Sequence, residues 1–176
     1  MIKVIAFDLV GVLVREKDIE LTEVEDKLER MFGDNINDEG YILEASKLID
    51  EDSIIETTKN IIEKLYQIRD KELFQKIRNK YPNIKLIVAT NHVSYVRDYI
   101  NNNFNCDNIL ISAEIHKIKP NSDFYQHILN KYDINPNELL FLDDNIKNID
   151  GANNLGIKTI KVNKDTDLFN EIENIL

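Results

Sequence analysis

The chain has 176 residues, of which 43% are hydrophobic and 31% charged, a composition typical of one globular domain with its own core. Its net charge of −10 argues against nucleic acid or an anionic membrane as the main partner. No apolar run approaches the ~18 residues of a membrane span, and the N-terminus lacks a signal-peptide pattern. With a single cysteine, no internal disulfide is possible, so we expect a cytoplasmic protein whose oligomeric state stays open.

The first apolar run, residues 2–7, predicts a strand buried on both faces of a parallel sheet. Asp8 follows this strand, and Gly11 lets the chain turn away beside the acid. Ligands of open α/β sheets bind at the carboxyl ends of the strands. Asp8 is therefore a candidate nucleophile or metal ligand, and the alternative is a helix cap or turn residue.

The next segment is dense in charge, and residues 16–66 contain no run typical of a strand. A capping-box pattern starts a predicted helix over residues 21–31. Apolar residues at helical spacing predict a second helix over 41–49 and a third over 54–68. We interpret this segment as a small helical insertion.

A fourth helix, over residues 72–80, leads back to the sheet, and from Pro82 onward strands and helices alternate, which predicts a parallel sheet with right-handed crossovers. Together with the first strand, the pattern predicts an α/β fold, a Rossmann-like five-stranded parallel sheet flanked by helices. The later strands are predicted at residues 85–90, 108–112, 139–142 and 158–162, and the helices at 72–80, 95–104, 123–132, 146–155 and 165–175.

Polar residues recur where these strands end, and parallel strands bring their carboxyl ends to one edge of the sheet. These residues are Asp8, Thr90, Lys119, Asp143 and Asp144. Carboxylate oxygens are the ligands that Mg²⁺ prefers, while a hydroxyl and an ammonium group bind phosphoryl oxygens. The combination predicts a site for a phosphoryl group beside a divalent cation.

These stretches resemble the motifs of the haloacid dehalogenase-like superfamily, whose members are mostly magnesium-dependent phosphatases. The resemblance covers nearly the whole chain in order, in FDLVGVL (residues 7–13), ATN (89–91), KP (119–120), and LDD (142–144) with GA (151–152) and LG (155–156). It implies a Rossmann-like core of residues 1–15 and 70–176. It also implies a short helical cap of residues 16–69.

The resemblance implies a role for each matching residue. Asp8 would be the nucleophile and form an aspartyl-phosphate, with its other oxygen on Mg²⁺. Thr90, Asn91 and Lys119 would bind the substrate, and Thr90 and Lys119 would act on the phosphoryl group. A small phosphorylated metabolite would be the substrate.

The same resemblance implies the metal ligands. Asp144 would bind Mg²⁺ directly, and Asp143 would bind it through water or orient Lys119. The backbone carbonyl of Val10 would complete the set. Asn145 and Asn148 are predicted to bond the metal-site loop or to cap the next helix.

Val10 departs from the family pattern, because most phosphatases of this family carry a second aspartate there as general acid and base. A valine side chain cannot move a proton, and general acid–base catalysis contributes typically ~10²–10⁴-fold. We therefore expect turnover that is slow or limited to esters with an acidic leaving group. His92 is a candidate substitute proton carrier, against the alternative of a solvated loop residue. Arg15 and Lys17 either reach an anionic substrate or belong to a charged linker.

Three functions remain open from the sequence. The first is the magnesium-dependent phosphatase. The second is a catalytically degenerate protein of this fold that binds phosphate or a partner, for which Val10 is the evidence. The third is a metal-free hydrolase of the 2-haloacid dehalogenase type, which also lacks the second aspartate. The paired acids Asp143 and Asp144 disfavour the third, because without a metal they would repel Asp8.

Overall fold

The computed structural model describes residues 1–34 and 37–176, and its main feature is a five-stranded parallel sheet. In chain order the strands are β1 (Val4–Phe7), β2 (Val14–Glu16), β3 (Tyr66–Ile68), β4 (Lys85–Thr90), β5 (Asn108–Ile111), β6 (Leu139–Asp143) and β7 (Lys158–Lys161). The main sheet has the order β5–β4–β1–β6–β7. All of its neighbouring strands run parallel, which confirms the predicted fold class.

Helices cover both faces of this sheet. In chain order they are α1 (Glu23–Glu29), α2 (Asp38–Ala45), α3 (Ile54–Leu65), α4 (Leu73–Lys80), α5 (Arg97–Asn103), α6 (Ser112–Ile115), α7 (Ser122–Tyr132), α8 (Ile146–Asn153) and α9 (Leu168–Ile175). Among the described residues, no helix is both long and apolar enough to cross a membrane.

The side chains of β1 alternate between two hydrophobic cores, as expected for a strand that is buried on both faces. Ile5 and Phe7 belong to the core that also contains residues of α4 and α9. Val4 and Ala6 belong to the core formed with α7 and α8. The strand is therefore fixed at the centre of the sheet, and the residue that follows it has a well-defined position.

The prediction that residues 16–66 contain no strand is wrong at both ends. β2 and β3 pair antiparallel and form a short ribbon, with Val14 opposite Ile68 and Glu16 opposite Tyr66. Helix α3 ends at Leu65 instead of continuing to residue 68. Three-residue strands are too short to show an alternating pattern. The predicted domain boundaries, 15/16 and 69/70, fall at this ribbon.

Two smaller differences concern the chain after β5. The predicted strand 108–112 ends at Ile111, because Ser112 begins the short helix α6. The second difference is α6 itself, since the sequence predicts no helix over its four residues, Ser112–Ile115. This helix is too short to produce a periodic signal in the sequence.

Candidate active site

Asp8 lies directly after the central strand, in a nearly closed environment. Its backbone N–H donates to the carbonyl of Leu142 at 2.9 Å, which continues the pairing of β1 with β6. The backbone N–H of Leu9 and the ammonium group of Lys119 lie 2.8 and 2.9 Å from its Oδ1 atom. Burial raises the pKa of Asp8 to about 6, against the opposing charge of Lys119 and with a smaller contribution from Asp143.

Lys119 connects two carboxylates inside the protein. Its Nζ atom lies 2.9 Å from Oδ1 of Asp8 and 2.7 Å from Oδ2 of Asp143, and its side chain is buried. Burial lowers the pKa of Lys119, but the negative charges of Asp8 and Asp143 outweigh this effect and leave the pKa raised. Lys119 therefore carries its positive charge into the site.

Asp143 is held by the start of the following helix. The backbone N–H of Asn145 donates to its Oδ1 atom at 2.8 Å. The side-chain amide of Asn148 lies 3.1 Å from both carboxylate oxygens. The hydroxyl of Tyr125 in turn donates to the backbone carbonyl of Asn148 at 2.7 Å. The expectation that Asn145 and Asn148 bond this loop is confirmed, and Asn145 also caps α8 through the N–H of Lys147.

Asp144 completes a group of three carboxylates. One oxygen each of Asp8, Asp143 and Asp144 lie within 4.8 Å of one another. Burial, with the added charge of Asp143, raises the pKa of Asp144. Three acids this close repel one another, and a divalent cation would relieve the repulsion.

Gly11 provides the space that Asp144 needs. Its φ angle is +83°, a conformation in which other residues are strained. A Cβ atom added to Gly11 would lie 2.4 Å from Cγ of Asp144, well inside contact distance. The turn after Asp8 therefore determines the position of a carboxylate from a distant part of the chain.

The donor set fits a magnesium ion. Hard carboxylate and carbonyl oxygens are its preferred ligands. The carbonyl of Val10 accepts none of the backbone hydrogen bonds between described residues, so it remains available beside Asp8 and Asp144.

The second predicted motif lies at the end of β4. Because Phe7 pairs with Val88, Thr90 follows at the same edge as Asp8, one strand away. Its side chain is buried. The side chain of Asn91 donates to the carbonyl of Lys119 at 2.9 Å and accepts from its N–H at 3.0 Å, and its contact with substrate stays a prediction. Asn91 thus positions the lysine.

His92 is buried and not part of a solvated loop. Its Nδ1 lies 3.1 Å from the carbonyl of Val93, and its Nε2 lies 2.9 Å from the hydroxyl of Tyr66. Burial lowers the pKa of His92 to about 4, so the ring is neutral near pH 7. Nδ1 then donates to the carbonyl and Nε2 accepts from Tyr66. Both nitrogens are occupied, which argues against a role as proton carrier.

Arg15 and Lys17, the two basic residues near the ribbon that the sequence offers as contacts for an anionic substrate, bond to different parts of the chain. The ammonium group of Lys17 donates to the carbonyl of Lys64 at 2.9 Å, which agrees with the linker alternative. The guanidinium of Arg15 donates to the carbonyl of Lys164, in the loop after β7. Arg69 was not predicted, because its partners are backbone carbonyls in the same loop and leave no pattern of side chains in the sequence.

Comparison with known families gives a match that covers most of the chain. Residues 5–162 match the family described as haloacid dehalogenase-like hydrolase. The matched range contains every residue of the site described above.

Solved structures of this fold resemble the chain along nearly its full length. A HAD-like family hydrolase from Porphyromonas gingivalis is 21% identical, with a TM-score of 0.76 over 99% of this chain and 98% of that chain. A HAD family enzyme from Bacteroides thetaiotaomicron, in complex with magnesium and inorganic phosphate, is 18% identical, with a TM-score of 0.69 over 95% and 97%. A dehalogenase is 15% identical, with a TM-score of 0.62 over 99% and 97%.

Proposed function

The chain belongs to the haloacid dehalogenase-like hydrolase family, and we propose that it is a magnesium-dependent phosphatase of a small phosphorylated metabolite. One observation supports this proposal above the others: Asp8 lies beside the ammonium group of Lys119 and shares a cluster of carboxylates, with one oxygen each within 4.8 Å, with Asp143 and Asp144. This arrangement combines a nucleophile, a fixed positive charge and a metal-binding group of acids. The similar Bacteroides enzyme binds magnesium and phosphate, which is consistent with the same chemistry here.

Asp8, Asp144 and the carbonyl of Val10 would hold the magnesium ion. When bound, the ion supplies positive charge that stabilises a phosphoryl group in transfer. Asp143 is already engaged by Lys119 and Asn148, so its proposed role is to orient Lys119.

The residues of the chain then carry out two steps. A carboxylate oxygen of Asp8 attacks phosphorus while the P–O ester bond breaks, and the electron pair leaves with the leaving-group oxygen. Water next attacks the aspartyl-phosphate, which releases inorganic phosphate, restores the carboxylate and gives a proton to solvent. The fixed charge of Lys119 and the hydroxyl of Thr90 stabilise the phosphoryl oxygens in both steps.

We also propose that residues 16–69 form a cap over a core made of residues 1–15 and 70–176. The ribbon of β2 and β3 is the connection at which both boundaries fall. Caps of this kind close over a substrate and exclude water from the reaction. The contact between His92, at the end of β4, and Tyr66 of the ribbon is one place where the two parts meet.

The metal-free dehalogenase is the weaker candidate. In that reaction Lys119 alone would offset the three clustered carboxylates. Burial and the neighbouring Asp143 already raise the pKa of Asp8 and of Asp144. A phosphatase uses Asp8 and Asp144 as ligands of a divalent cation, so the site favours the phosphatase.

The test is hydrolysis of p-nitrophenyl phosphate, an ester with an acidic leaving group. We expect activity that requires magnesium, is abolished by a chelator, and is lost in Asp8→Asn but kept in Asp123→Asn, which removes an exposed carboxylate elsewhere. No hydrolysis, combined with magnesium-dependent binding of a phosphate mimic, would overturn the proposal in favour of a degenerate binding protein. Release of halide from a 2-haloacid without metal would overturn it in favour of a dehalogenase.

A further inference from the structure

A cavity lies directly beside the proposed metal site. It has a volume of about 550 Å³, and Val10, Gly11 and Asp144 form the part of its wall that it shares with the active site. Four basic residues, Arg15, Arg69, Lys161 and Lys164, form much of the remainder. We refer to this cavity as the cationic pocket.

We propose that the cationic pocket binds a second anionic group of the substrate, a carboxylate or a second phosphoryl group. This inference rests on the proposed phosphatase function and narrows it. The substrate class becomes a phosphate ester that carries another oxyanion.

The positive charge of the four basic residues in the cationic pocket is not offset by ion pairs between described residues. In the described part of the chain, none of the four forms an ion pair with a carboxylate. Their hydrogen bonds go to neutral acceptors instead. Arg69 donates to the carbonyls of Asn163, Lys164 and Thr166 at 2.8, 3.0 and 2.7 Å.

The cationic pocket also contrasts with the rest of the molecule. The chain has 32 acidic and 22 basic residues, so four basic residues that gather without forming an ion pair in the described part of the chain make this region positive within a negatively charged protein. Elsewhere, basic residues do pair with acids, as Arg78 does with Asp107 and Arg97 with Glu114. Concentrated charge of one sign in a cleft attracts ligands of the opposite sign.

The pocket also contains acids, and they do not cancel this charge. Glu16 and Asp144 line it. The cation at the active site would offset Asp144, which leaves one acid against four bases.

The two lysines are the residues best placed to select the ligand. Nζ of Lys161 makes only long contacts, 3.2 Å to the carbonyl of Val162 and 3.3 Å to Oδ1 of Asn163. Lys161 and Lys164 are both exposed to solvent. Arg69, in contrast, is fixed by its carbonyl partners, so it shapes the pocket, whereas the lysines are free to contact an anion.

The experiment uses three aryl phosphates that share the same aryl leaving group. They differ only in a two-carbon arm on that group, which ends in a carboxamide, a carboxylate or a phosphonate. We expect the anionic arms to raise kcat/KM at least about tenfold over the carboxamide, since tenfold corresponds to one well-placed charged contact. The double variant Lys161→Ala/Lys164→Ala should reduce this preference by about tenfold. The anionic arm whose kcat/KM falls further in the double variant, carboxylate or phosphonate, identifies the type of second anion.

The matched control is Lys131→Ala/Lys158→Ala, which removes the same charge from exposed positions outside the pocket and should keep the preference. Calorimetry of the three compounds with Asp8→Asn supplies a readout of binding that does not depend on turnover. If all three esters are hydrolysed with equal kcat/KM, or if both double variants behave alike, the inference is wrong and the phosphatase function stands. If none is hydrolysed, the proposed function is wrong, and calorimetry alone decides whether the pocket prefers anions.

Discussion

Val10 stands two residues after Asp8, and its side chain packs against the hydrophobic core. It has no group that can protonate a leaving oxygen. We predict that Val10→Asp raises kcat/KM for an alkyl phosphate by about 10²-fold or more, with a much smaller gain for p-nitrophenyl phosphate, because only the poor leaving group needs a proton. Steady-state kinetics on both esters measure this difference.

Val10→Asn is the control for that experiment, since it matches the shape and polarity of aspartate without its proton transfer. It should leave the ratio of the two rates unchanged. Equal gains in both variants, or unchanged alkyl-phosphate turnover in Val10→Asp, would contradict the interpretation of this position.

Gly11 is a second position where one residue affects the metal. We predict that Gly11→Ala raises the magnesium concentration for half-maximal activity by about tenfold or more, because the added Cβ displaces Asp144. Gly156→Ala is matched to it, since Gly156 has a similar φ of +81° but its added Cβ meets no atom closer than 3.8 Å. Gly156→Ala should keep the wild-type magnesium dependence. If both variants raise the half-maximal magnesium concentration by the same factor, the cause is backbone strain and not the displacement of Asp144.

His92 gives the protein a pH-dependent stability. Its pKa falls from 6.5 in the unfolded chain to about 4 in the folded one, so below pH 6.5 the unfolded state binds a proton that the folded state does not. The free energy of unfolding should therefore fall as the pH falls from about 6.5 to 4, by up to about 3 kcal/mol. Urea unfolding of the wild type and of His92→Phe across this range measures the difference.

The phenylalanine variant should lose this part of the pH dependence, although it is less stable than the wild type near pH 7 because Tyr66 loses its acceptor. His116→Asn removes an exposed histidine and should keep the wild-type dependence. If the free energies of unfolding of wild type and His92→Phe fall in parallel between pH 6.5 and 4, the conclusion that His92 is buried in its neutral form is wrong.

At the scale of elements, Arg69 links the ribbon to the loop that follows β7. Its guanidinium also lies 3.4 Å from the carbonyl of Gly11, so one side chain connects three parts of the chain. We predict that Arg69→Ala lowers the free energy of unfolding by about 2 kcal/mol, because several charged hydrogen bonds are lost. Arg15→Ala, which loses a single exposed bond, should change it by less than about 1 kcal/mol, and equal losses in urea unfolding would contradict this role.

The larger elements were predictable from the sequence, and the ribbon was not. Long apolar runs such as residues 85–90 and helical spacing in residues 54–65 are strong local signals, because burial repeats over several residues. The strands Val14–Glu16 and Tyr66–Ile68 carry only three residues each and pair across 50 residues of sequence. Their pairing depends on the tertiary structure, so no local pattern reports it.

At the scale of the whole molecule, the sequence predicts which residues meet but not how each is used. Asp8, Asp143 and Asp144 gather at one edge because parallel strands bring their ends together, and Lys119 joins them from the segment that follows α6. The two hydrogen bonds by which Asn91 positions Lys119 are formed with the backbone N–H and carbonyl of the lysine. Hydrogen bonds to backbone atoms leave no trace in residue identity, which is also why Arg69 was missed.

The most direct measurement of the central claim is the trapping of phosphate on Asp8. Protein mixed with magnesium and a radiolabelled aryl phosphate is quenched in acid within the first turnovers, digested and sequenced by mass spectrometry. We expect base-labile phosphate on the peptide that contains Asp8, dependence of the label on magnesium, and no label in Asp8→Asn. Hydrolysis that proceeds without this label, or a label that persists in Asp8→Asn, would contradict it.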